Sequence, residues 1–190
     1  MDARTQARIK ALSKETITLV PYDESWPERY AELEKEVKRI VPRQHIQRIA
    51  HIGSTAIPGM SAKPIIDVQV EVGDVERVRE EVAPLMQEAG FEFVWRPSMG
   101  DDAPYYAWFI LRDADGKRVA HVHMVGSGKA SMERIVFRDY LRAFPEEAAR
   151  YEALKQELAK RFPKDREAYT THKAVYVNDV LAKAHRGKWR

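Results

Sequence analysis

Residues 51 to 70 read HIGSTAIPGMSAKPIIDVQV: an apolar approach to Gly53-Ser54-Thr55, a loop with two prolines and Lys63, then an apolar run carrying Asp67. A Gly-Ser turn at the end of a strand lets backbone amides approach a phosphate closely, and the hydroxyls of Ser54 and Thr55 add donors. Lys63, in a loop stiffened by Pro58 and Pro64, can reach an outer phosphate. Asp67 stands among aliphatic residues, so its carboxylate either faces a cleft from a rigid strand or is paired inside the core. Period two puts Gln69 and Glu71 on its face. The plainer reading is that the glycines and prolines shape a loop and Lys63 is solvated.

A second set lies in RVAHVHMV, where His121 and His123 project to one face of a strand and Val122 and Met124 to the other. Two imidazoles at i and i+2 begin a metal site, and Asp67 completes a two-His, one-carboxylate set if its strand is a neighbour. Nitrogen ligands favour Mn, Fe, Ni or Zn over Mg. Without metal, the histidines are ordinary strand residues or hydrogen-bond Asp67.

These residues need a sheet to hold them. HIQRIAHIG reads as a strand feeding the Gly-Ser-Thr turn and PIIDVQVEV as a buried strand leaving the loop. YYAWFILR and RVAHVHMV flank DADGK, whose Asp115 and Gly116 mark a hairpin turn, so these runs pair antiparallel. FEFVW is a short strand, and TITLVPYD (16–23) alternates as another. SWPERYAELEKEVKRIV is an amphipathic helix with Ser25 and Glu28 in capping-box spacing, Trp26, Tyr30, Leu33, Val37 and Ile40 on one stripe, and Pro42 as its stop. Asp74 caps a helical stretch to Gly90 that Pro84 kinks or splits. From Ser131 onward the pattern is helical, broken at Pro145 and Pro163, with Tyr169, either Val175 or Tyr176, Val180 and Leu181 facing inward in the last helix. Strands and helices mix in the first two thirds and helices alone follow, which is an α+β organisation.

The 190 residues, 44% apolar and 32% charged, suit one folded domain over 16–185, with an N-terminal extension (1–15) and a basic tail (186–190). No run approaches the ~18 apolar residues of a membrane span, and MDARTQARIKALSKE lacks a secretory signal's apolar centre, so a cytoplasmic protein is expected. The absence of cysteine excludes disulfides and thiolate chemistry. A net charge of +3 fits an acidic ligand such as a nucleotide, whereas no stretch interleaves basic residues with aromatics as nucleic-acid binding would favour.

Ile52-Gly53-Ser54 followed by Asp67-Val68-Gln69-Val70 resembles the signature of the nucleotidyltransferase superfamily: an apolar residue, Gly, Gly or Ser, a spacer, then Asp-apolar-acid-apolar. HIGSTAIPGMSAKPIIDVQV, with YDESWPERY, His121-Val122-His123, FRDYLRAFPEEAARYEALKQELA and YTTHKAVYV, is similar to the GrpB-like family, a branch of that superfamily. The resemblance runs from about Ile17 onward and implies a DNA polymerase beta-like fold, a mixed sheet with flanking helices and a helical C-terminal third. It implies a nucleotide or phosphorylated small molecule as partner and a divalent metal, Mg²⁺ or Mn²⁺, with Zn²⁺ or Ni²⁺ as alternatives. On this reading Asp67 is catalytic and a metal ligand with His121 and His123. Gly53, Ser54, Thr55, Lys63, Arg138 and Lys173 hold phosphate; the alternative for Arg138 and Lys173 is pairing with Asp139, Glu146 or other surface acids, the usual fate of helix charges. The departure is Gln69, which stands where the superfamily's second metal-binding acid belongs, and Glu71 is displaced by roughly 6 to 7 Å along the strand. Three functional classes follow: a metal-dependent nucleotidyl transferase, a degenerate nucleotide-binding or accessory domain of the kind fused to dephospho-coenzyme A kinase, and a metal-dependent hydrolase using Asp67, His121 and His123.

Overall fold

Strand pairing sets the site before any helix does. In a computed structural model, which describes residues 3–97 and 105–187, β1 (Arg48–Ile52), β2 (Ile66–Val72), β3 (Glu92–Pro97), β4 (Tyr105–Arg112) and β5 (Arg118–Gly126) form one sheet in the order β1-β2-β5-β4-β3. Gly116, at φ 77°, turns the β4–β5 hairpin, and the two strands pair antiparallel as expected. The pairs β1–β2 and β3–β4 are also antiparallel, and β2–β5 is the parallel pair. That one contact makes the sheet mixed.

One face of the sheet carries the main core. Val68, Val70, Val72, Val122, Met124 and Phe109 point down onto α2 (Trp26–Ile40) and the segment Val75–Glu88. The α2 stripe buries Trp26, Leu33 and Val37, each contributing about 1.5–3 kcal/mol by leaving water. Its N-terminus departs from expectation: Ser25 makes no side-chain cap bond, and its own N–H donates to Asp23 Oδ1 at 2.8 Å. Asp74 does cap its helix, accepting from Glu76 and Arg77 N–H. Pro84 splits that helix as predicted, because it cannot donate to the ladder. A π turn over Val78–Val82 separates α3 (Val75–Arg77) from α4 (Ala83–Glu88).

The opposite face carries Asp67, Gln69, His121, His123 and Trp108. It is covered by α1 (Ala3–Ser13), whose Leu12 packs with Tyr106, Trp108 and Ile110, and by the start of α5 (Lys129–Ala143). The expected strand at 16–23 is reduced to a single bridge between Val20 and Ala62. Pro21 has no N–H to extend it. Helices α5, α6 (Pro145–Arg161) and α7 (Arg166–Arg186) make the helical last third. In α7 Tyr176 turns inward, where its hydroxyl bonds Glu147, and Val175 is 73% exposed. Of the expected basic tail, residues 188–190 lie outside the described residues. Among the described residues no helix is long and apolar enough to cross a membrane.

Candidate functional site

The parallel register of β2 and β5 places Asp67 opposite His121 and Gln69 opposite His123. Asp67 Oδ1 lies 2.9 Å from His121 Nδ1 and 3.5 Å from His123 Nε2. On the far side of β5, Trp108 pairs with His123. Its indole stacks on His123 (6.1 Å between centroids, 13°) and meets His121 edge-on at 5.0 Å. The indole therefore holds both imidazoles against Asp67.

Ile52 pairs with Asp67 across β1 and β2, so Gly53 arrives beside the carboxylate. Its backbone sits at φ 73°, ψ −172°, a region essentially reserved for glycine. A Cβ there would stand 2.8 Å from Asp67 Oδ2. The glycine is needed twice, for its conformation and for the close approach of the carboxylate. Ser54 opens one 3₁₀ turn, Ser54–Ala56, and is half-buried. Thr55 turns inward instead: its buried hydroxyl accepts from His51 Nε2 (2.9 Å) and donates to the Ile65 carbonyl (3.4 Å).

Burial pushes the Asp67 carboxyl up, but the hydrogen bonds of His121 and His123 outweigh it and hold Asp67 well below the ordinary carboxylate range. Burial lowers His121 to about 4 and lowers His123 as well, against the pull of Asp67. At neutral pH the cluster is a carboxylate facing two neutral imidazoles. A carboxylate only accepts, so His121 Nδ1 carries the hydrogen that Asp67 receives. That leaves His121 Nε2 bare, and it is buried with no partner.

Lys63 and Lys173 come together at one aromatic ring. Each ammonium is 5.7 Å from the Tyr169 centroid, a cation–π distance. Burial lowers Lys63 to about 7, with Lys173 and Arg166 adding to the effect and Asp67 opposing it. Lys173 is raised, chiefly by Tyr151, with Asp67 also contributing. Both lysines thus feel the Asp67 charge. Arg138 is elsewhere: it donates to the His51 carbonyl at 2.7 Å and to Asp139 at 2.6 Å, beside a cleft of about 510 Å³ at the outer edge of β1.

Gln69 and Glu71 share the face of Asp67 but are closed into the protein. Gln69 is 1% exposed. Its amide donates to the Ser131 carbonyl (3.0 Å) and to Glu71 (3.3 Å) and accepts from Arg134 (3.1 Å). Glu71 is buried against Arg48. The residues therefore fit one metal rather than two. Asp67, His121 and His123 each offer a donor atom within 4.8 Å of the others, and the partnerless His121 nitrogen is the kind of atom a ligand satisfies. A set of two nitrogens and one oxygen suits Mn, Fe, Zn or Ni better than Mg.

Trp108, Tyr169 and Tyr151 escaped the sequence reading as parts of this site. Counting out from the DADGK turn puts Trp108 across from Val122; the irregularity between Leu111 and Arg112 shifts it by one residue onto His123, and nothing in the sequence marks that shift. The two tyrosines had no signal either, because they reach the site from helices far along the chain.

Comparison with known proteins agrees with this architecture. Residues 16–183 match the family model described as GrpB protein. A "UPF0157 protein" of Pseudomonas aeruginosa is 36% identical over 168 residues, covering 88% of this chain and 67% of that protein. A "Glutamate-rich protein GrpB" of Alkalihalophilus pseudofirmus is 32% identical over 170 residues, covering 90% and 97%. The crystal structure of conserved protein GrpB from Enterococcus faecalis superposes with a TM-score of 0.74 at 28% identity, covering 91% of this chain and 100% of that one. The chain spans about half the length of other relatives, 49% of a UPF0157 protein of Bacillus subtilis and 47% of a "Dephospho-CoA kinase" of Mycolicibacterium paratuberculosis. The chain thus belongs to the GrpB family.

Proposed function

We propose that this protein binds a nucleotide or phosphorylated small molecule at the Asp67–His121–His123 cluster with the help of one divalent metal. The observation that carries this is the convergence of three metal-capable atoms within 4.8 Å beside a glycine turn that must stay open to accommodate Asp67. A bound metal would supply Lewis-acid polarisation of a phosphoryl oxygen. The chain's own residues do the rest. Asp67, His121 and His123 would hold the ion, with Trp108 fixing the imidazoles. Ser54 and the Gly53 backbone would orient phosphate oxygens, and Lys63 and Lys173, held on Tyr169, would balance their charge. The resemblance of the Gly53-Ser54 to Asp67 stretch to the nucleotidyltransferase signature, and the dephospho-CoA kinase among longer relatives, support a ligand of nucleotide class.

Transfer by two metals is not favoured for this chain, because Gln69 is spent on the Ser131 carbonyl and offers no second carboxylate. Binding, or hydrolysis assisted by one metal, fits the donor set better. The test is calorimetric titration of chelator-stripped protein with Mn²⁺ and Zn²⁺, then thermal melts with each nucleoside triphosphate. One equivalent of metal should bind, a triphosphate should raise Tm only with metal present, and Asp67→Asn should abolish both. Protein that ignores both metals, or a triphosphate shift that survives Asp67→Asn, would refute the reading.

A further inference from the structure

We propose that the basic cleft between β4, β5 and the start of α7 is a separate anion site built for a phosphate group, filled in the free protein by Glu15. Three guanidinium groups, two from the β4–β5 hairpin and one from the start of α7, converge on this one carboxylate. Arg118 Nε donates to Glu15 Oε2 at 2.7 Å, Arg112 Nη2 to Oε1 at 3.3 Å, and Arg166 Nη2 lies 3.7 Å from Oε2. Even with Glu92 also pairing Arg112, three cations face two monovalent carboxylates, an excess that a phosphate, with more oxygens and more charge, would balance better. Arg118 is the innermost, its side chain only 3% exposed. A charge so deeply placed needs a partner in every state of the protein.

The partner in hand comes from the segment that follows α1. The family match begins at residue 16, and Arg112, Arg118 and Arg166 all lie within it, whereas Glu15 does not. Arg118 and Arg166 spend further donors on the end of α1 and on this segment: Arg118 Nη2 bonds the Leu12 carbonyl at 2.9 Å and Arg166 Nε the Glu15 carbonyl at 2.9 Å, while Arg112 Nη1 bonds the Gly116 carbonyl at 2.7 Å. The N-terminal segment thus lays a cluster of oxygens over the arginines, as a phosphate would. Arg112 also pairs with Glu92 at 2.8 Å, which leaves Arg118 and Arg166 as the pair most dependent on Glu15. The cleft, of about 420 Å³, has room for a phosphate group and reaches Lys63. Of the residues placed at the Asp67 site it is lined by Lys63, Arg166 feels the Asp67 charge from it, and it needs no metal.

Isothermal titration of the metal-free full chain with sodium pyrophosphate and with inorganic phosphate, at constant ionic strength, tests this. Glu15→Gln removes the competing charge and should bind pyrophosphate at least about tenfold more tightly than wild type. Adding Arg166→Gln should cancel the gain, and adding Asp67→Asn instead should leave it intact. Equal affinity of wild type and Glu15→Gln would overturn the proposal, as would a gain that disappears with Asp67→Asn, which would place the anion at the other site. If Glu15→Gln does not fold, Arg112→Gln in the wild-type chain decides: pyrophosphate binding should weaken at least about threefold, and unchanged binding would overturn the proposal.

Discussion

Substituting one methyl group at Gly53 tests whether the turn and the carboxylate form one unit. Gly53→Ala places a Cβ 2.8 Å from Asp67 Oδ2 and 3.3 Å from its Cβ, at φ +73°. The backbone strain of that region costs about 1–3 kcal/mol, and forcing atoms into a filled space costs about 1–3 kcal/mol more. Urea unfolding at pH 7.5, followed by tryptophan fluorescence, should show Gly53→Ala less stable by about 4 kcal/mol. Gly116→Ala is the control: its φ is +77° but nothing lies within 4 Å. Its loss should be only about 1 kcal/mol, since strain is partly offset by a less disordered unfolded chain. The decisive measurement is the double-mutant cycle. In an Asp67→Ala background the 2.8 Å contact with the carboxylate is gone and only the 3.3 Å contact with Cβ remains, so Gly53→Ala should cost about 2 kcal/mol less than in wild type. If Gly53→Ala costs no more than Gly116→Ala, or if the cycle shows no coupling, Gly53 does not serve the carboxylate.

Two further outcomes follow from how neighbouring groups are spent. Gln69→Glu, which writes the second acid of the nucleotidyltransferase signature into this chain, should not create a second metal site. Its carboxylate would face the Ser131 carbonyl and Glu71, against the single favourable contact with Arg134, and should destabilise by about 2–4 kcal/mol in urea; a stable variant binding two Mn²⁺ by calorimetry would contradict this. His51, stacked on Tyr30 at 4.6 Å, is lowered to about 4 by burial, with Arg142 and Arg138 adding and Asp67 opposing. It is neutral when folded and takes up a proton when unfolded below pH 6.5, so its contribution is full above pH 6.5 and is lost as pH falls toward 4. Wild type should therefore lose about 2 kcal/mol more than His51→Gln between pH 7.5 and 5 in urea unfolding, and parallel losses would show that His51 is not the titrating group.

The site's sheet was legible because it is built from local rules. Period-two patterning set which side chains of β2 and β5 share a face, and the DADGK turn set the antiparallel pairing of β4 and β5, although an irregularity at Leu111 and Arg112 shifts their register by one residue. What patterning does not contain is which strands become neighbours. That Asp67 sits beside His121 depends on the parallel β2–β5 contact, closed over a long crossover, which no local pattern encodes. The strand expected at 16–23 failed for the reverse reason. Its alternation is real, but Val20 finds only Ala62 to pair with, and Pro21 ends the ladder.

Residue type was a weaker guide than residue commitment. Ser54 and Thr55 are neighbours of like chemistry, yet one is half-buried at the turn and the other bonds inward to His51 and Ile65. Arg138 and Lys173 lie at comparable places on late helices. Arg138 is spent on a backbone carbonyl and Asp139, and Lys173 meets Lys63 at the Tyr169 ring. Polar side chains in a protein this size are placed by whichever buried donor or acceptor needs them, and that demand is set by tertiary contacts. The same logic explains Gln69. An acid there would leave the Ser131 carbonyl facing another oxygen, so with α5 packed onto β2 in this way, the amide satisfies the fold better than the second carboxylate would. Loss of the second acid and the docking of α5 are then one structural choice. Any metal chemistry in this chain rests on Asp67 and the two histidines that β5 brings to it.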